Sequence, residues 1–269
     1  YNLLKKLAQK HDITLFSFIR KNEEKVYIPE LTKLGVRVEV FKRRPAWQFL
    51  NIILAGFSWY PFLVSIYLSN SLRKRLYKEL NEESYDVVHA EPFYVVPNLP
   101  KTSVPLLLVD QTIEFLVYQH FVDKFNYWFL RPLLYFDVFK MKYWESRYWK
   151  QASRVVGMSE EDQKIMKSLA PGIKVDIVPN GVDAAYFDPE LVKDVQVQPT
   201  SDDPVFLFVG SCTWLQNREA IEVLYSKVWP LILEKIPNAH LLIIGKSADH
   251  FFAKLRSKQV RVEEVKDIR

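Results

Sequence analysis

The chain has 269 residues, enough for one large domain or two ordinary ones, and its 49% hydrophobic and 26% charged content is that of a folded globular protein, which excludes disorder. The formal net charge of +5 points to an anionic partner such as a nucleotide diphosphate, an anionic lipid or a nucleic acid. The single cysteine, Cys212, excludes an internal disulfide and a cysteine-built zinc site, and favours a reducing cytoplasm.

Tyr1 opens inside a helical pattern, with Leu3, Leu4, Leu7 and Ala8 on one face and lysines on the other. There is no initiator Met and no signal peptide, so the expectation is a fragment of a longer protein. Ile13 to Ile19 reads as an apolar strand of the kind buried on both faces of a parallel sheet. A polar helix from about Glu23 to Leu34 follows; Gly35 ends it, and Val36 to Phe41 is the next strand.

Pro45 to Leu72 carries no charged side chain and runs into Arg73-Lys74-Arg75. Its length and basic flanks would suit a bilayer span, but Gln48, Asn51, Gly56, Ser58, Pro61 and Ser65 interrupt it. Buried or groove-lining helices fit better, with a helix pair at the membrane surface as the next reading. Strands are then expected at Asp86 to Ala90, Pro105 to Asp110, Arg154 to Met158 and Val175 to Val178. Their alternation with helices predicts an α/β fold with doubly wound parallel sheets. The segment from Ile113 to Lys150 is rich in aromatic residues. A carbohydrate groove would use such rings, but one long helix packed on the sheet, with the rings as core, is the favoured reading.

At Val175 to Phe187 the chain reads V-D-I-V-P-N-G-V-D-A-A-Y-F. The strand is expected to stop at Pro179, with Asn180-Gly181 turning tightly at positive φ and aiming amides into the crevice beyond the strand end. Residues 193 to 204 have the composition of a linker. Pro204 to Gly210 begins a second sheet, Asn217 to Ile236 reads as a helix and Ala239 to Gly245 as a further strand. The domains expected are 1–192, a linker over 193–204, and 205–269, the last too short in strands to close a core alone.

Two of these blocks carry a family resemblance. Val178 to Phe187 resembles the interdomain loop of family 4 glycosyltransferases of the GT-B fold. Phe206 to Asn217, followed by Trp229 to Gly245, resembles the opening of that family's donor-binding domain. The resemblance implies an acceptor-side Rossmann-like domain lacking its first strand, and a truncated donor-binding domain. It further implies transfer of a sugar from a nucleotide-sugar donor to a polysaccharide or lipid-linked acceptor with retention, without metal or other cofactor. The expected setting is cytoplasmic or peripheral on the inner face of the membrane, with membrane-surface contact through Pro45 to Leu72. The fragment itself is expected to be inactive. A noncatalytic glycan- or membrane-binding module and a sugar-nucleotide epimerase of the same fold remain alternatives; nucleic acid is not expected as a partner.

No Walker loop or G-x-G-x-x-G is present, and the seven glycines are scattered. The pair Glu83 and Glu91 has the eight-residue spacing of the family's donor-site glutamates, but it flanks a strand of the first domain and is a false match. What remains is a ring of polar residues at strand ends: His89 and Glu91 on one, Asp110, Gln111, Thr112 and Glu114 on the next. His89 beside a carboxylate could shuttle protons or be a structural histidine. The resemblance places Gln111 where many members have a histidine against the transferred sugar; glutamine can position a hydroxyl but cannot take a proton. The catalytic candidates are Gln111, Glu114 and His89. For the donor diphosphate they are Asn180, Gly181, Gly210, Ser211 and Asn217, the last three because a strand end and a helix start offer free amides. Cys212 reads as a small buried residue. The loop has no Arg or Lys before Arg218, and no cluster has metal-ligand spacing.

Overall fold

A computed structural model of the chain describes residues 1–45, 56–188, 190 and 203–264. The expected linker falls almost wholly outside these residues, as do residues 46–55, the first part of the uncharged Pro45 to Leu72 segment. The chain divides into two compact units, Tyr1–Val182 and Asp183–Arg269.

The first unit opens with α1 (Asn2–Leu7) and β1 (Thr14–Ile19); a 3-10 turn (Asn22–Tyr27) leads to α2 (Ile28–Thr32), and β2 (Arg37–Lys42) pairs with β1 in parallel. The expected single helix is thus split. Pro29 lacks an amide proton, so it suits only the first turn of a new helix. Gly35 ends it at φ 83°. β1 is only half-buried up to Ile19, because the two-stranded sheet lacks a full cover on both faces among the described residues.

α3 (Phe62–Tyr67) and α4 (Asn70–Glu82) come next, α4 capped by the Ser69 hydroxyl, which accepts from the Leu72 amide at 3.3 Å. Charge ties α4 to β2. Glu79 of α4, nearly fully buried, accepts from Arg37 at 2.8 Å and pairs with Arg75 at 2.6 Å, and Arg75 also grips Glu39 of β2. These bonds hold the Glu79 carboxyl below its usual range, with the Tyr85 hydroxyl as the largest contributor.

A four-stranded sheet follows, with β3 (Val88–Ala90), β4 (Leu106–Val109), β5 (Arg154–Gly157) and β6 (Val175–Ile177) side by side in sequence order, every pairing parallel. Between β4 and β5 the aromatic segment forms two helices, α5 (Glu114–Asp123) and α6 (Arg131–Gln151), rather than one. Pro132 again sits in the first turn of α6, and a short 3-10 piece (Trp128–Leu130) makes the corner. The core reading holds for Phe115, Tyr148 and Trp149, which pack with Phe93, Leu108 and Met166. It fails at the corner, where the rings are exposed. After β5, α7 (Glu160–Leu169) starts at a Ser159 cap.

A buried ion pair on α6 organises the loop before α3. Lys140 lies 2.9 Å from Asp137 and donates to the carbonyls of Ser58 and Tyr60 at 3.3 Å, while Asp137 accepts from the Phe62 amide at 3.1 Å. Trp144 adds a bond from its indole N–H to the Trp59 carbonyl at 2.9 Å.

The second unit holds β7 (Val205–Val209), β8 (His240–Ile244) and β9 (Val260–Glu263), all parallel and in that order. α8 (Leu215–Val223) runs through a π-helical turn (Leu224–Val228) into α9 (Trp229–Lys235), and α10 (Ala248–Phe252) precedes β9. The π turn lies just before Pro230, whose missing N–H interrupts the regular ladder. One sheet face is covered by Ile221, Trp229 and Phe252 packing on Leu241, Ile243, Val260 and Val262. On β7 the other face presents Val205, Leu207 and Val209 to solvent.

Candidate functional site

In a parallel sheet, residues just past the carboxyl ends of the strands share one edge, and in the first unit that edge collects the predicted candidates. Glu91, directly after β3, lies at the centre. The His89 Nε2 is 3.6 Å from one of its oxygens and the Gln111 amide donates to the other. These partners, His89 first, hold the Glu91 carboxyl below its usual range against the opposing effect of burial. His89 is partly open to solvent and faces Glu91, so both readings of it, proton shuttle and structural partner, remain compatible with its place.

Beneath this group lie two carboxylates of the interior. Asp110, at the end of β4, accepts from the Phe93 amide at 2.9 Å and from the Trp149 indole N–H at 2.6 Å. Burial pushes its carboxyl up to about 7 in spite of both donors. Glu145, from the middle of α6, accepts from the Glu114 and Phe115 amides at 2.9 and 3.0 Å and so caps the start of α5. Its carboxyl is raised well above the ordinary range by burial and then by the charge of Asp110. The loop carrying Gln111 is therefore fixed at both ends by buried acids whose donors are supplied by the fold.

Glu114, predicted alongside Gln111 and His89, is not brought into contact with them. Its side chain accepts from the Thr112 hydroxyl at 3.3 Å and is raised by burial. Glu145 and Trp149 were missed. The one available signal was a glutamate four residues after Met141 and four before Trp149, on the buried face of an aromatic helix.

Asn180-Gly181 departs from expectation. Neither residue adopts positive φ, and the backbone from Val178 to Asp183 runs on without a turn. The Val178 amide still bonds the Gly157 carbonyl at 3.0 Å, and the turn comes later, where the Tyr186 and Phe187 amides reach the Asp183 carbonyl. A tight Asn-Gly reversal serves a strand that returns beside itself, and β6 has no such neighbour.

In the second unit, Gly210 and Ser211 follow β7. An added Cβ on Gly245 would lie 1.8 Å from the Gly210 carbonyl oxygen, so the ends of β7 and β8 approach closely. Asn217 spends its amide on the Ser211 carbonyl at 2.9 Å. Arg218 donates to the Cys212 and Thr213 carbonyls and lies 4.7 Å above the Phe251 ring. Both side chains brace the loop from inside. Its outward groups are the paired Ser211 and Thr213 hydroxyls, 2.8 Å apart, and the exposed Trp214 at the start of α8. Cys212 is fully buried and burial raises its thiol, the behaviour of a packing residue.

The model of glycosyltransferase family 4 matches residues 1–186. The chain belongs to this family. No curated protein matches it. Among solved structures, the family 4 chain is similar to a sucrose-phosphate synthase from Thermosynechococcus elongatus, with 13% identity over 95% of this chain and 71% of that one and a TM-score of 0.55. At that identity the likeness establishes the fold, that of a GT-B glycosyltransferase. Among the described residues no helix is long and apolar enough to cross a membrane, and no three His, Cys, Asp or Glu side chains gather as a metal site would.

Proposed function

We propose that this glycosyltransferase moves a sugar from a nucleotide-sugar donor to a polysaccharide or lipid-linked acceptor with retention, using neither metal nor other cofactor and working at the cytoplasmic side of a membrane. The observation that supports the reading is the composition of the group at the β3 and β4 ends. Gln111 can orient a hydroxyl but not deprotonate it, and Glu91 is kept ionised and occupied by His89 and Gln111. A site so built positions and stabilises charge rather than supplying a free base, which suits a reaction in which the departing diphosphate receives the acceptor proton. The Ser211 and Thr213 hydroxyls and the free amides at the start of α8 are the groups proposed for the diphosphate.

Gln111→Glu places a second carboxylate beside Glu91 and so repels the arrangement. With the intact enzyme and a panel of nucleotide sugars, the expected result is a glycoside of unchanged anomeric configuration from wild type, and a loss of about 10²-fold in kcat for the variant. Donor consumption that needs no acceptor, or a product of inverted configuration, would overturn the reading.

A further inference from the structure

The corner between α5 and α6 exposes what a protein interior normally hides. Trp128 is 76% exposed, Phe129 61% and Leu133 60%, and Tyr127, Phe136 and Phe139 are open to a similar degree. The rings form one connected surface: Phe121 touches Phe125, Phe125 touches Tyr127, Tyr127 touches Phe129 and Phe129 touches Trp128, with centroids 5.6 to 6.3 Å apart. At roughly 150–250 Å² per ring, this surface reaches on the order of 500 Å², the size at which an apolar patch marks an interaction site.

The charges of α6 say what kind of partner fits. Its two acids, Asp137 and Glu145, are both buried, and so is Lys140. The charges it presents to solvent, Lys142, Arg147 and Lys150, are all basic and continue along the helix from the aromatic end. At the corner itself Asp123 accepts from the Tyr135 hydroxyl. A connected set of Trp, Tyr and Phe rings beside a basic flank is complementary to a bilayer interface, where rings settle at headgroup level and lysines and arginines face anionic lipid. A protein partner would have to offer pockets for the rings and acids for the basic side chains together, whereas a bilayer interface takes exposed rings and basic side chains without shaped pockets. We infer that the α5–α6 corner is a docking surface for an anionic phospholipid bilayer. The site is distinct from the Pro45 to Leu72 segment expected from sequence, and the inference does not depend on the donor or acceptor of the reaction.

The test is co-sedimentation of the 269-residue chain with phosphatidylcholine vesicles and with vesicles containing phosphatidylglycerol, at about 0.1 M salt. Wild type is expected on the anionic vesicles and not on the neutral ones. Trp128→Ser with Phe129→Ser is expected to abolish binding. Lys142→Glu with Arg147→Glu, which leave the corner rings in place but give up the contacts of these side chains with the Phe115 and Trp144 rings, are expected to weaken it by about fivefold or more per residue while circular dichroism shows the variant folded. Equal binding to both vesicle types, or variants that bind like wild type while circular dichroism shows them folded, would overturn the inference. So would a dimer in sedimentation velocity that Trp128→Ser dissolves without lipid, since a second copy would then be the occupant.

Discussion

The raised carboxyl of Asp110 makes the stability of the first unit fall as pH rises across a range where most proteins are indifferent. A group whose folded pKa lies above its unfolded one binds its proton more tightly when folded, so its contribution is full below about 4 and is lost as pH climbs through about 7. With a folded value of about 7 against 3.8, the loss between pH 5 and pH 8 is on the order of 2–3 kcal/mol. Glu79 and Glu91 act in the opposite sense but elsewhere: both are depressed, so their contributions are in place above about 4.5 and fade only as pH falls below it. Asp110→Asn removes the ionisation while keeping the side-chain shape, and it also relieves Glu145 of the charge that helps to raise it. The amide brings a donor against the Phe93 N–H or the Trp149 N–H, so absolute stability drops; the slope is the informative quantity. Urea unfolding at pH 5 and pH 8, read by a pulse of hydrogen exchange at one fixed pH on peptides spanning 106–116, gives the two free energies. The variant is expected to lose the share that Asp110 carries, while Glu145, raised first by burial, keeps part of the fall with pH. Parallel behaviour of variant and wild type between the two pH values would show that Asp110 ionises normally and would refute the reasoning.

Asp137→Ala takes from the buried Lys140 ammonium its 2.9 Å carboxylate and from the Phe62 amide that acceptor; a cost of about 3 kcal/mol is expected in chemical denaturation. Gly245→Ala drives a methyl into the Gly210 carbonyl and is expected to cost about 3 kcal/mol, seen as faster hydrogen exchange in β7 and β8. Gly35→Ala meets no atom within 4 Å and suffers only from its positive φ, so about 1 kcal/mol is expected in the same denaturation experiment. Glu145→Ala leaves two amides at the start of α5 without their acceptor and should cost about 2–3 kcal/mol, whereas Glu145→Gln, which keeps one acceptor oxygen, should recover about half in thermal denaturation.

The parallel strands were legible because runs such as Leu106–Val109 and His240–Ile244 are apolar and bounded by Pro, Gly or polar residues, a local signal that tertiary packing reinforces. Gly35 was legible for the same reason: the helix end and the positive φ are set within a few residues. Gln111, His89 and Glu91 could be picked from strand ends, but that the Gln111 amide reaches Glu91 follows only from β3 and β4 lying side by side. Glu145 offered only its helical spacing to Met141 and Trp149, since its role comes from amides 30 and 31 residues away. The inward role of Arg218 could not be read from sequence, because the two carbonyls and the ring face that satisfy its guanidinium are brought to it by the fold. Composition allowed that exposed rings of the 113–150 segment could touch an acceptor or lipid, but not which ones: the partners that sort Trp149 into the core and Trp128 onto the surface lie far off in sequence.

The charged joint between β2 and α4 gives the first unit two responses to the same solute. Sulfate is excluded from protein surfaces and tightens apolar burial, so it should strengthen the core around Trp149 and Phe93. The same ions screen partly exposed charges, and Arg37, Arg75 and Glu39 all retain contact with solvent. Adding salt is therefore expected to tighten one part of the unit while weakening the charged joint of β2 with α4, leaving the strand pair to its contacts with Tyr67 and Ile66 of α3.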